Sequence, residues 1–322
     1  MAAGGLFCQS FIHQSVIPPE CYPPRVLGPL QILCRWVYDV RPANPRYAMT
    51  TAPASKTTLS QPLPLLLGGV TLRNRVALAP MAGLTDVPFR TLAWRYGAGH
   101  MVSEMVTSKA ELWDTGKSKG RRVLIPGVQP QAVQIAGYDP AVMAESARRL
   151  VDEGVELIDI NFGCPAKKVC RKAAGSALLG NIDLIQRIVE GVAKAVSVPV
   201  TIKTRTGLTL EDSAGAQAAL AAQNAGAQMV VMHARSKACR FNGTAQPSRV
   251  SEIQSMAASG AAGVMIGRRA IGQPWVFAQV LGLPEPSVQE RLDLIAQHLI
   301  MLHYFYGTQP GARIARKHVQ AY

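Results

Sequence analysis

Leu157-Ile158-Asp159-Ile160-Asn161-Phe162-Gly163-Cys164-Pro165-Ala166-Lys167-Lys168 is the stretch that decides the fold. Leu157 to Ile160 has the apolar, β-branched character of a buried strand. The strand breaks at Gly163, offers a thiol beside a proline, and runs at once into lysines. Parallel α/β proteins keep their chemistry at strand ends that turn in this way. Taken alone, Gly163-Cys164-Pro165 is equally well a small buried residue beside a turn, so the rest of the chain has to choose.

Outward from that strand, short apolar runs alternate with helical segments. Strands are expected at Val76 to Ala79, Met101 to Glu104, Ala132 to Ile135, Val200 to Lys203, Met229 to Met232 and Gly263 to Ile266. The helices between them are punctuated. Asp86 caps one with Pro88 in its first turn, and Asp139-Pro140 opens another that Gly154 stops. Asn181 caps a third, which gathers Leu184, Ile185, Ile188, Val189 and Val192 on one face. An Ala-rich helix from Glu211 to Ala225 ends at Gly226. This alternation predicts a parallel sheet covered by helices. No G-x-G-x-x-G follows the first strand, so a (β/α)8 TIM barrel is favoured over a doubly wound nucleotide fold. Only about 30 residues separate the sixth strand from the last. A helix at Ser248 to Ala258 uses that interval, so one βα unit, the seventh strand, is expected to be missing.

Three regions follow. Residues 59–280 form the barrel. Residues 281–322 form a small all-α domain, with a long helix from Val288 to Tyr306 and a basic end at Arg313, Arg316 and Lys317. Residues 1–58 are rich in proline and aromatics, show no periodicity, and are expected to be a disordered extension. Pro18, Pro19, Pro23 and Pro24 oppose an amphipathic presequence. Met49 opens a Thr/Ser/Ala/Pro stretch typical of a flexible N-terminus, so residues 1–48 are expected to lie upstream of the physiological start.

The formal charge is +14. Residues 1–58 carry five basic and two acidic residues, leaving +11 on the remainder. An excess of that size calls for a polyanionic partner, with nucleic acid ahead of a membrane because no basic amphipathic helix stands out. No apolar run approaches the length of a membrane span. The six cysteines have no pairing rhythm and no C-x-x-C, which fits free thiols in a reducing cytoplasm and gives no metal-ligand spacing.

Strand C-termini in a barrel face the active site. Here they deliver Pro80, Met81 and Ala82; Gln134; Asn161 and Cys164; Lys203 and Arg205; His233 and Arg235; and Gly267 with Arg268. The set is polar and cationic, without a carboxylate pair for glycoside hydrolysis and without a metal cluster. Cations at the later strands suit a phosphate, and Gln134 with Lys203 suits the edge of a heterocycle. A bound phosphorylated cofactor is expected, and flavin mononucleotide (FMN) is one such ligand. Each residue also has a plain structural use, such as Lys203 reaching solvent or His233 satisfying a strand end. Their joint occurrence at six strand ends favours a site.

Five motifs then give a specific resemblance: Pro80-Met81-Ala82-Gly83-Leu84-Thr85-Asp86-Val87-Pro88-Phe89-Arg90, Val102-Ser103-Glu104-Met105-Val106, Asn161-Phe162-Gly163-Cys164-Pro165, Ala174-Gly175-Ser176-Ala177-Leu178-Leu179 and Gly263-Val264-Met265-Ile266-Gly267-Arg268. In order and content the chain from Leu65 to Tyr322 resembles the tRNA-dihydrouridine synthases, nearest their bacterial B-type branch. The resemblance implies an FMN-dependent barrel with a helical tRNA-binding domain, a monomer that uses NADPH to reduce uracil in tRNA. By position, Cys164 is implied as the proton donor. Pro80, Met81, Ala82, Gln134, Lys203, His233, Gly267 and Arg268 are implied as cofactor contacts. Asn161 and Arg205 are implied as uracil contacts, and Lys167 and Lys168 as RNA contacts. The chain departs from the family after Gly243-Thr244-Ala245, where a strand ending in an Asn-Gly-Asp loop is replaced directly by Gln246-Pro247-Ser248. Arg269 also stands where a second glycine is expected, and the C-terminus stops earlier than the family's helical domain. Two alternatives remain from this reading: an impaired RNA-binding remnant, and an FMN barrel that reduces a small molecule.

Overall fold

The computed structural model describes the backbone of Gln31–Arg35 and residues 63–209, 211–240 and 262–322. The rest of the expected N-terminal extension, the helix expected at Ser248 to Ala258 and the junction at Ala245 lie outside the described residues. In chain order the strands are β1 (Gln31–Arg35), β2 (Leu65–Leu67), β3 (Val70–Leu72), β4 (Val76–Leu78), β5 (His100–Met101), β6 (Val106–Thr107), β7 (Ala132–Ala136), β8 (Leu157–Asn161), β9 (Val200–Arg205), β10 (Met229–His233) and β11 (Val264–Ile266). The helices are α1 (Val87–Arg95), α2 (Gly116–Arg122), α3 (Pro140–Asp152), α4 (Lys167–Cys170), α5 (Ile182–Ala195), α6 (Ala214–Asn224), α7 (Val276–Val280), α8 (Val288–Tyr306) and α9 (Thr308–Val319).

The caps read from sequence are in place. Asp86 accepts from Phe89 N, Asp139 from Ala141 N and Val142 N, and Asn181 from Leu184 N. Helix α6 starts at Ala214 rather than Glu211. The Asp212 carboxylate accepts from both Thr209 N and Ala214 N, which makes a turn of the residues expected to be helical. The strand expected at Met101 to Glu104 is cut short: β5 ends at Met101, Val102 makes a lone bridge, and β6 begins only at Val106. Between them the buried Glu104 accepts from Gly83 N and forms an ion pair with Arg121 at 3.6 Å, contacts that lie off the ladder.

The sheet is parallel throughout its βα units. β7, β8, β9 and β10 pair in sequence, with β6 on the far side of β7. β11, β4 and β5 pair in that order, and the bridge Val102↔Ala132 joins this group to β7. On its other edge β10 pairs in parallel with the backbone of β1, from Gln31↔Met229 to Arg35↔His233. Sequence periodicity gave no strand there. β1 also approaches β11.

Strands β4, β8, β9 and β11 are buried throughout, β7 and β10 nearly so, and alternate residues serve two cores. Val133, Ile135, Ile158, Ile160, Ile202 and Val230 face outward against α3, α5 and α6, where Ile185, Ile188, Val189 and Val192 of α5 are fully buried. Burying each such side chain contributes about 1.5–3 kcal/mol. The other parity faces inward. Ala77, Ala132, Leu157, Met229, Val231 and Met265 form an apolar interior closed by Leu65, Leu67 and Leu72 of the β2–β3 hairpin, which the sequence reading had not identified. Two residues further along the same strands the inward positions turn polar, and there the site begins.

At the C-terminal end, Ser287 and Glu290 form a capping box on α8. Gly307, at φ 81°, turns the chain into α9. Leu92 of α1, Trp275 and Leu294 of α8 form a small core that seats these helices on the parallel unit.

Candidate active site

Strand pairing places the inward polar residues in rows. Gln134 of β7, Asp159 of β8 and Thr201 of β9 share one register row, and Asn161 pairs with Lys203 one step nearer the strand ends. His233 pairs with Arg205 at the ends of β10 and β9. Above these rows lies a cavity of about 280 Å³, lined by Pro80, Met81, Ala82, Gln134, Asn161 and Cys164, and by Lys203, Arg205, His233 and Arg268. Thirteen site residues were named from sequence, and these ten line one cleft. Gly267 is buried at the end of β11 beside Arg268. Lys167 and Lys168 are exposed on α4, directly after Ala166 at the cleft wall. Leu84 and Met105 also line the cleft and were not picked out by the sequence. Both lie inside motifs whose polar residues drew the attention.

Cys164 is held from several sides. Its N–H donates to Asn161 Oδ1 at 2.9 Å, and its carbonyl accepts from Ser176 N and Ser176 Oγ, each at 3.0 Å. The preceding carbonyl, of Gly163, accepts from Arg205 Nε at 2.6 Å. Gly175, at φ 64°, passes so close that a Cβ would stand 2.7 Å from the Cys164 carbonyl oxygen, so the Gly175-Ser176 pair is a backbone clamp. Arg205 Nη1 donates to the carbonyls of Ser236 and Arg240, tying the β8, β9 and β10 loops together.

Burial pushes the Cys164 thiol above its ordinary pKa, and Cys170 adds to the rise; a hydrogen bond from the Ala166 backbone, with Arg205 and Lys203, opposes it. A thiol shifted that way stays protonated at neutral pH, which suits an acid better than a nucleophile. Arg205 is held down to about 10, chiefly by burial, and remains charged. The described lining includes Lys203, Arg205 and Arg268 and no carboxylate. Such a cleft fits an anionic ligand, and an amide, an ammonium and a guanidinium fit a phosphorylated heterocycle.

Beneath the cleft an acidic residue that sequence reasoning missed organises this set. Asp159 is 2% exposed. It accepts from Gln134 Nε2 at 2.7 Å and from Thr201 Oγ1 at 2.6 Å. The available signal was parity, since Asp159 lies two residues before Asn161 and so on the same inward face.

A family model described as dihydrouridine synthase (Dus) matches residues 77–256 and 249–322. The chain belongs to the dihydrouridine synthase family. Relatives named tRNA-dihydrouridine synthase B agree along most of their length. The protein from Pseudomonas aeruginosa is 43% identical over 284 residues, covering 80% of this chain and 86% of the relative. Those from Vibrio vulnificus and Salmonella typhimurium are 42% and 43% identical, and each match covers 80% of this chain and 88% of the relative. The α/β architecture with C-terminal helices is that expected of this family. No described helix is long and apolar enough to cross a membrane.

Proposed function

We propose that this chain is a tRNA-dihydrouridine synthase that reduces the C5=C6 bond of uridines in tRNA, with NADPH as reductant and FMN as bound cofactor. The observation that carries the reading is the Cys164 thiol, kept protonated at the wall of a cation-lined cleft in a chain of this family. Gln134 and Lys203 suit the carbonyl and ring-nitrogen edge of a flavin. The backbone of Pro80, Met81 and Ala82, with His233, suits its body, and Gly267 with Arg268 suits its phosphate. Bound there and reduced by NADPH, FMN supplies the hydride for uracil C6.

The protein's own part is to bring the base in and complete the reduction. A uridine has to leave its stack to enter so narrow a cleft. Lys167 and Lys168 at the rim take neighbouring phosphates, and Asn161 with Arg205 faces the uracil. Cys164 gives its proton to C5, and the thiolate left behind is stabilised by Arg205 and Lys203, the charges that already oppose the rise of its pKa.

Two observations support the absence of one βα unit after Ala245. The family match comes in two pieces that meet at residues 249–256. The match to the Pseudomonas aeruginosa relative runs over 284 positions but takes in 80% of 322 residues, about 258, so about 26 positions of the relative face no residue here. That difference is close to one βα unit. We read residues 59–280 as the barrel and residues 281–322 as the tRNA-binding domain, in an enzyme placed by its substrate in the cytoplasm.

The test is to incubate the purified protein with NADPH and tRNA lacking dihydrouridine, digest the RNA, and quantify dihydrouridine by mass spectrometry. The visible spectrum of the same preparation reports bound flavin. Product formed in proportion to enzyme sustains the reading. A protein that takes up no flavin and makes no product would instead be the impaired remnant, and turnover of free pyrimidines but not tRNA would make it a small-molecule reductase.

A further inference from the structure

We infer that Asp159 is a positioning residue, fixing through the Gln134 and Asn161 amides both the face Gln134 offers to the cofactor and the turn that presents Cys164. The inference rests on the function proposed above and adds a residue to it.

The hydrogen bonds run in one direction. The Asp159 carboxylate accepts from Thr201 Oγ1 and from Gln134 Nε2. Gln134 therefore turns its amide nitrogen toward Asp159 and its oxygen toward Asn161, whose Nδ2 donates to Gln134 Oε1 at 2.7 Å. That leaves Asn161 Oδ1 facing the turn, where it accepts from Gly163 N at 3.2 Å and Cys164 N at 2.9 Å. An ionised carboxylate has no proton to donate, so it admits only this order of donors and acceptors. Reversing either amide would set donor against donor at the next link. Gln134, Asp159 and Thr201 are each 2% exposed or less, so water cannot repair a broken link at low cost. Burial holds the Asp159 carboxyl up at about 6, against the lowering effects of Thr201, Gln134 and Lys203. It is therefore still ionised at neutral pH.

Asp159→Ala removes the acceptor and frees Gln134 to reverse. Asp159→Asn keeps an oxygen for Gln134 while its amide nitrogen donates to the Thr201 hydroxyl, so the order survives without the charge. In the full-length protein the two variants are compared with wild type in three ways. These are the kcat and KM for tRNA, the position of the bound-flavin absorption bands, and the rate at which iodoacetamide alkylates Cys164, followed by mass spectrometry. Asp159→Ala is expected to lower kcat about 100-fold, with KM for tRNA within about threefold. It is also expected to shift the flavin bands and change Cys164 alkylation about fivefold or more. Asp159→Asn is expected to return each readout most of the way to wild type. Asp159→Ala behaving as wild type in alkylation and spectrum overturns the assignment, as does Asp159→Asn matching Asp159→Ala. The alkylation arm needs neither flavin nor turnover. It therefore decides the role of Asp159 even if wild type binds no flavin and makes no dihydrouridine, the separate outcome that overturns the proposed function.

Discussion

His318 meets His298 edge to face, with ring centroids 4.5 Å apart, and stacks on Phe89 at 5.3 Å. The contact joins α9 to α8 and both to α1, so it seats the C-terminal helices on the parallel unit. Both imidazoles are fully buried, and the His298 ring meets Tyr322 Oη at 2.9 Å. Burial holds His298 down to about 3, with His318 adding to the effect, and holds His318 down to about 4, with Lys317 adding.

Seating of the C-terminal helices is therefore expected to be acid-labile. With folded-state pKa values below the ordinary 6.5, the neutral rings contribute their full stability above pH 6.5. That contribution falls as pH drops from 6.5 toward 4 and 3, by roughly 1.4 kcal/mol per histidine per pH unit. Thermal melts between pH 7.5 and 5 should show the decline. His318→Phe, which keeps an aromatic ring against Phe89, should flatten the decline by one histidine's share, roughly 1.4 kcal/mol per pH unit.

Cys164→Ala should lower dihydrouridine formation by about 100-fold or more, the range for loss of a positioned acid. Bound flavin should be unchanged, because the contacts that hold the Cys164 turn are made by its backbone N–H and carbonyl. Retained turnover in the tRNA assay would remove Cys164 from the acid role.

Arg205→Lys should be costly although charge is conserved. Arg205 is 2% exposed and spans the carbonyls of Gly163, Ser236 and Arg240 at once, a reach that a single ammonium lacks. A loss of about 2–4 kcal/mol is expected from unmade charged hydrogen bonds. Urea denaturation measures it as a lower midpoint at unchanged slope. A midpoint equal to wild type would mean that the three loops hold without this clamp.

The sequence made the outer layer and the strand ends legible because both repeat. Ile158 and Ile160 advertise a strand, Ile185, Ile188, Val189 and Val192 a helix face, and the polar residues cluster where each strand stops. Relations across strands were not legible. Asp159 finds its partners 25 and 42 residues away, in Gln134 and Thr201, and a lone carboxylate in an apolar run gives no sign of either. His318 reads as part of a basic helical end and His298 as one position of the long helix before it, whereas the fold buries both. The β2–β3 hairpin was missed because each arm is only three residues long and its role depends on the interior it closes. The pairing of Gln31–Arg35 with β10 has no periodic signature in the surrounding sequence.

The basic rim also separates lysines available to RNA from cations already engaged. On α2, Lys119 faces Asp114 at 3.4 Å, and Arg122 pairs with Glu153 while lying over the Trp113 ring at 4.7 Å. Among the described residues no ion pair is recorded for Lys167 or Lys168, which stand on α4 next to the cleft. A phosphate contact releases counterions, so each lysine that makes one steepens the fall of affinity with salt by roughly 0.7 in the logarithmic slope on single-stranded RNA. Lys167→Ala with Lys168→Ala should therefore weaken tRNA binding and flatten that slope by about 1.4. Arg122→Ala should leave the slope nearly unchanged, because its guanidinium is already spent on Glu153. Filter binding at several salt concentrations measures both, and equal slopes for the double variant and wild type would place the RNA path elsewhere on the surface.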